Sequence, residues 1–163
     1  MKRLLIIWHS RTGAAHAMAD AAARGATGEP AVETVTLPAH EANPEDLLAA
    51  DGFIFACPEN LAAMSGAMKE FFDRTYYPVL ERLNGRPYAM LISAGSDGTG
   101  AARQMARIAT GWRLKPVAEP IIVCTQAQSP EAILARKTVT TADLVRCEEL
   151  GAALAAGLSM GVF

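Results

Sequence analysis

Directly after the apolar run of residues 4–8 the chain reads His9-Ser10-Arg11-Thr12-Gly13-Ala14-Ala15-His16, a turn whose residue types suit the binding of a phosphate. The hydroxyls of Ser10 and Thr12 and the free amides at a helix start can surround an anion, and Gly13 lets the backbone approach it closely. The same turn without a ligand is an ordinary polar cap, so its position after the first apolar run is what gives it weight. Neither the P-loop pattern GxxxxGK followed by Ser or Thr nor GxGxxG occurs, which argues against a Walker nucleotide site and weakens a dinucleotide reading. No cysteine sits in the turn, which excludes a cysteine-based phosphatase there, and no Asp cluster marks a phosphoacceptor domain. His9 and His16 flank the turn and read better as ordinary polar residues than as phosphate ligands. Arg11 is open between reaching a phosphate and standing in solvent.

The surrounding elements decide which other residues can join this turn. Residues 4–8 read as a strand buried on both faces, and residues 14–24 as a helix that Gly25 stops. Residues 31–37, rich in Val and Thr and closed by Pro38, read as a second strand near a sheet edge, and residues 45–50 as a short helix. The third strand, residues 51–57, is broken by Pro58-Glu59-Asn60, and a loop leads to Ser65. Ser65 caps a helix whose apolar face carries Met68, Phe71, Phe72, Thr75, Tyr76 and Val79, with Pro78 kinking or ending it. Residues 88–93 form the fourth strand, residues 94–100 a flexible loop, and residues 101–112 a helix. Residues 120–124 open the core of a fifth strand, preceded by Val117-Ala118. The polar connection 125–140 has helical content around 130–135, and residues 142–158 close the chain as a helix offering Leu144, Val145, Leu150, Leu154 and Ala155 for packing. Such alternation implies right-handed crossovers and a five-stranded parallel sheet in order 2-1-3-4-5 with helices on both faces. Ligands in such sheets gather beyond the carboxyl ends of the strands where strand order reverses, and that selects the loops after the first, third and fourth strands.

Composition narrows the function classes. With 163 residues, 51% of them hydrophobic and 20% charged, and a net charge of -2, the whole chain, 1–163, is expected to be a single globular domain with no nucleic-acid partner. Cys57, Cys124 and Cys147 show no metal or disulfide spacing, so a reducing, cytoplasmic setting is expected and no metal site. The first apolar run is too short for a signal-peptide core, and no stretch approaches the roughly 20 apolar residues of a membrane span.

Ser10-Arg11-Thr12-Gly13, then Pro58-Glu59-Asn60 with the block from Met64-Ser65-Gly66 through Phe71-Phe72-Asp73-Arg74, then Ser93-Ala94-Gly95-Ser96, resemble in that order the flavodoxin-like family of small FMN-dependent NAD(P)H oxidoreductases and quinone reductases. The resemblance spans nearly the whole chain, and its middle block is the most distinctive part. It implies a flavodoxin-like three-layer sandwich that binds FMN. The phosphate would rest on Ser10, Arg11, Thr12, Gly13, Ala14 and Ala15, and the isoalloxazine between the second and third loops. Pro58, Glu59, Asn60, Leu61 and Met64 would line one side, and Ala94, Gly95, Ser96 and Asp97 would approach the ring edge or ribityl chain. Backbone amides there would stabilise negative charge near flavin N1 and O2, and the cofactor would carry the redox chemistry. The resemblance further implies NAD(P)H as donor, a quinone or similar small acceptor, no catalytic acid or base, and self-association.

Two positions depart from the family. Ala15 stands where many relatives have Thr, and Leu61-Ala62-Ala63 lacks the aromatic that relatives often carry. These departures imply a more exposed flavin, or one covered by a partner subunit, and they keep a flavin-free binding module in view. A flavodoxin-type electron carrier is the other alternative; such carriers usually have a strongly acidic face and aromatic rings enclosing the flavin. Cys57 reads as a buried strand-end residue, Phe71, Phe72, Tyr76 and Tyr77 as packing residues, and Arg103 with Arg107 as a solvated helical face. Glu59 is open between a place beside the flavin, where its charge would oppose a reduced anion, and solvent.

Overall fold

Leu4, Leu5, Ile6 and Ile7 each expose 1% or less of their surface, because their strand is covered on both faces. The computed structural model describes residues 1–163. Its strands are β1 (Lys2–Trp8), β2 (Val32–Pro38), β3 (Gly52–Asn60), β4 (Ala63–Met64), β5 (Pro87–Ala94), β6 (Lys115–Pro116) and β7 (Ile121–Cys124). Its helices are α1 (Ala14–Ala26), α2 (Pro44–Ala49), α3 (Gly66–Val79), α4 (Thr99–Gly111), α5 (Pro130–Leu134) and α6 (Thr141–Met160).

The sheet runs β2-β1-β3-β5, and β6 and β7 both lie along the outer edge of β5. β6 pairs with its start, Tyr88 opposite Pro116, and β7 with its end, Leu91 opposite Ile121. This is the expected order 2-1-3-4-5 with the fifth strand split in two. Pro116 and Pro120 explain the split, since a proline offers no N–H to the ladder and is tolerated only at an edge.

Alternation along the strands sorts the core into two layers. Leu5, Ile7, Phe53 and Phe55 face α2, α3 and α4, while Leu4, Ile6, Ile54 and Ala56 face α1 and α6. The aromatic residues of α3 are packing residues: Phe72 lies 5.4 Å from the Trp112 ring and Tyr76 stacks on it at 5.7 Å. Pro78 sits one residue from the end of α3. Val145, expected to pack, is 46% exposed, whereas Leu154 and Ala155 are buried.

Two local expectations are corrected. β3 does not break at Pro58 but continues to Asn60 and folds back as a two-residue hairpin onto β4, with Asn60 opposite Ala63. Its central residues Leu61 and Ala62 both have positive φ, 51° and 63°, as a type I′ hairpin requires. Gly25 does not stop α1, which runs on to Ala26. The glycine serves packing instead: a Cβ there would stand 1.9 Å from the Glu148 carbonyl oxygen on α6, and one on Gly151 would stand 1.9 Å from the Ala22 oxygen on α1.

Candidate functional site

The turn between β1 and α1 is built by its own side chains. The Gly13 N–H donates to Ser10 Oγ at 2.9 Å, and Gly13 takes φ 101° as the N-cap of α1, a conformation suited to glycine. No side chain caps α1; the first of its N–H groups to find a main-chain carbonyl is that of Ala17, on Gly13 at 3.0 Å. The amides ahead of it face outward together with the positive end of the helix dipole. Trp8 stacks on His16 at 3.8 Å and braces the turn from α1. On the other side His9 Nδ1 lies 2.8 Å from Ser65 Oγ, at the start of α3. Burial, with Arg11 and His40 nearby, holds the His9 pKa below its ordinary 6.5. His16 Nε2 lies 3.5 Å from Asp20 Oδ1 on α1.

The second and third loops are clasped by one carboxylate. Glu59 Oε1 accepts from the Gly98 N–H at 2.9 Å and Oε2 from the Ala101 N–H at 3.1 Å. α4 also begins on a left-handed glycine without a cap of its own, Gly98 at φ 91°, so Glu59 supplies the anion that its dipole favours. The two glycine-started helices therefore differ: α4 is closed by a carboxylate from within the chain, and α1 is open toward the cleft.

That cleft has a volume of about 510 Å³ and is lined by Arg11, Thr12 and Ala14 of the first loop, Pro58 to Leu61 of the second, and Ser93 to Ser96 of the third. A fourth wall comes from the connection after β7. The N–H groups of Thr125 and Gln126 donate to the carbonyls of Ala94 and Gly95 at 2.9 and 2.8 Å, and that of Lys137 to Thr12 at 2.8 Å. Between these ties α5 turns Ile133 and Leu134, 50% and 71% exposed, along the cleft.

Ten of the fifteen residues expected at the site line this cleft: Arg11, Thr12, Ala14, Pro58, Glu59, Asn60, Leu61, Ala94, Gly95 and Ser96. The other five are not among the residues that line it. Ser10 and Gly13 shape the turn through their mutual hydrogen bond. The Ala15 methyl is fully buried. Met64 is a core residue, 4% exposed, whose N–H donates to Gln104 Oε1 at 2.9 Å. Asp97 is exposed and accepts from the Thr99 hydroxyl at 2.7 Å, which lowers its pKa. Cys57 is buried as expected, and burial pushes its thiol up to about 12. The fourth wall went unread because its ties are main-chain bonds; the apolar pair Ile133-Leu134 within a polar stretch was its only side-chain signal.

The residues fit a phosphorylated flavin. The uncapped amides of α1, Thr12 and Arg11 would meet a phosphate at one end, and Pro58, Leu61, Ile133 and Leu134 give apolar walls. The volume lies in the roughly 300–1,000 Å³ range of small-molecule sites. No cluster of three or more His, Cys, Asp or Glu side chains is placed to hold a metal ion.

Comparison with known proteins agrees with this geometry. The model of a family described as NADPH-dependent FMN reductase matches residues 9–129. A flavodoxin of Aquifex aeolicus is 33% identical over 100 residues, 61% of this chain and 54% of that protein. An NAD(P)H dehydrogenase (quinone) of Acidithiobacillus ferrooxidans is 31% identical over 121 residues, 61% of this chain and 60% of that protein. The chain thus spans little more than half the length of these relatives. In fold, the structure of an archaeal flavodoxin superposes with a TM-score of 0.77 at 19% identity, covering 96% of this chain and 98% of the other.

Proposed function

The chain belongs to the NADPH-dependent FMN reductase family, and from that premise we propose that it holds FMN in the cleft beneath α5 and passes electrons from NAD(P)H to a quinone or similar small acceptor. The observation that carries this reading is the open N-terminus of α1 at one end of the cleft, beside an α4 terminus already closed by Glu59. FMN held there would supply the redox chemistry between nicotinamide and acceptor.

The chain's own residues hold, orient and shield. Amides at the start of α1 and the Thr12 hydroxyl bind the phosphate, and Arg11 adds positive charge. Glu59 fixes the third loop, so the main-chain groups of Ala94 to Ser96 meet the cofactor already ordered, which costs no reorganisation during reaction. With both oxygens engaged by N–H groups, Glu59 is not free to act as a general base, and no acid or base is assigned. The hairpin and α5 contribute Leu61, Ile133 and Leu134 to the apolar part of the cleft.

Apoprotein is expected to bind FMN saturably, and the loaded protein to be reduced rapidly by NADPH or NADH alone and reoxidised by a quinone, as followed by flavin absorbance in a stopped-flow instrument. The flavodoxin relative supports a second reading, a carrier reduced by a partner protein. Flavin that stays oxidised with either nucleotide and is reduced only by a reductase would favour that carrier.

A further inference from the structure

Arg136 has no role in the site as described, yet it lies against the phosphate turn. A Cβ on Gly13 would meet its Cζ and one of its Nη atoms at 3.4 Å, so the guanidinium rests on the residue that starts α1. The backbone next to it is tied to the turn, since the Lys137 N–H donates to the Thr12 carbonyl at 2.8 Å. Lys137 lines the cleft, with its ammonium engaged by the carbonyls of Ile133 and Ala135 at 2.9 and 2.5 Å at the end of α5. Arg136 takes part in none of the chain's ion pairs. An exposed, unpaired guanidinium thus lies beside Gly13 at the uncapped start of α1, in a turn where Ala15 brings no hydroxyl.

We propose that Arg136 is a specificity-determining residue that closes on the terminal phosphate of the flavin and selects FMN over riboflavin. This rests on the FMN reading above. A guanidinium suits the task because it offers paired donors to phosphate oxygens, keeps its charge at all relevant pH, and sheds water more readily than an ammonium. The tie to Thr12 carries it in with the connection, so the cation comes from the far end of the chain and makes up for the hydroxyl that the turn lacks.

The test is a titration of apoprotein with FMN and, separately, with riboflavin, following flavin fluorescence in the native chain, Arg136→Gln and Arg136→Lys. The Gln variant is expected to bind FMN about tenfold more weakly and riboflavin unchanged, with a shallower salt dependence for FMN. The Lys variant should recover part of the loss. FMN affinity that does not change, or an equal loss for both flavins, overturns the proposal. So does a rise in KM for NADPH but not NADH at unchanged FMN affinity, which would assign the guanidinium to the nucleotide's phosphate. A native chain that binds both flavins equally well removes the phosphate clamp and leaves the FMN reading standing, whereas one that binds neither overturns both.

Discussion

Both oxygens of Glu59 are taken by main-chain N–H groups at the start of α4, so its charge does the work of a helix cap borrowed from a neighbouring strand. Glu59→Ala is expected to lower stability by about 0.5–2 kcal/mol, as loss of a cap does, with Glu59→Gln falling between because an amide oxygen still accepts. Urea midpoints check this, and an unchanged midpoint in the Ala variant would remove the clasp from the account. His9 acts in the opposite electrostatic sense. Its native pKa is depressed by burial, with Arg11 and His40 adding to the effect, so its contribution is fully present above the ordinary value of 6.5. As pH falls below that value the unfolded chain takes up a proton that the native state resists, and stability declines. Comparing urea midpoints at about pH 7.5 and about pH 5.5, the drop should be smaller in His9→Asn than in the native chain. An equal drop in both proteins would show that His9 is not responsible.

At the scale of elements, the contact between α1 and α6 depends on two absent side chains. Gly25 meets the Glu148 oxygen and Gly151 the Ala22 oxygen, each at a virtual Cβ distance of 1.9 Å, so neither helix can carry even a methyl group at that crossing without moving apart. Gly151→Ala is expected to destabilise by about 1–3 kcal/mol through overpacking. Gly66→Ala at the start of α3, where a Cβ meets nothing within 4 Å, should be neutral or slightly stabilising. Thermal melts of the two variants make the comparison, and similar melting temperatures would contradict the close crossing. The same contact explains the misread end of α1, because a glycine kept for helix crossing and one kept for helix termination look alike in a sequence.

Over the whole molecule, the strand order and the three loops at the switch point were legible because buried strands declare themselves as apolar runs: residues 4–7, 53–57 and 88–92 are almost wholly buried, as their composition implies. The apolar face of α3 was equally plain from its spacing, and Met68, Phe71, Phe72, Thr75 and Val79 are all buried. What escaped reading rests on the backbone or on distant partners. The hairpin after β3 places Leu61 and Ala62 where Asn-Gly is usual, so no turn signal marked it, and nothing near Glu59 in sequence points to Gly98. The family resemblance implies Met64 and Asp97 at the flavin; Met64 is a buried core residue and Asp97 accepts from the Thr99 hydroxyl. The tie from Lys137 to Thr12 also has a bearing on biosynthesis. The turn at residues 10–15 is made well before the segment that supplies the cleft's last wall, so the cleft has all its walls only once the chain has been made through Lys137. A chain that stops at residue 124 lacks the wall that carries Ile133 and Leu134.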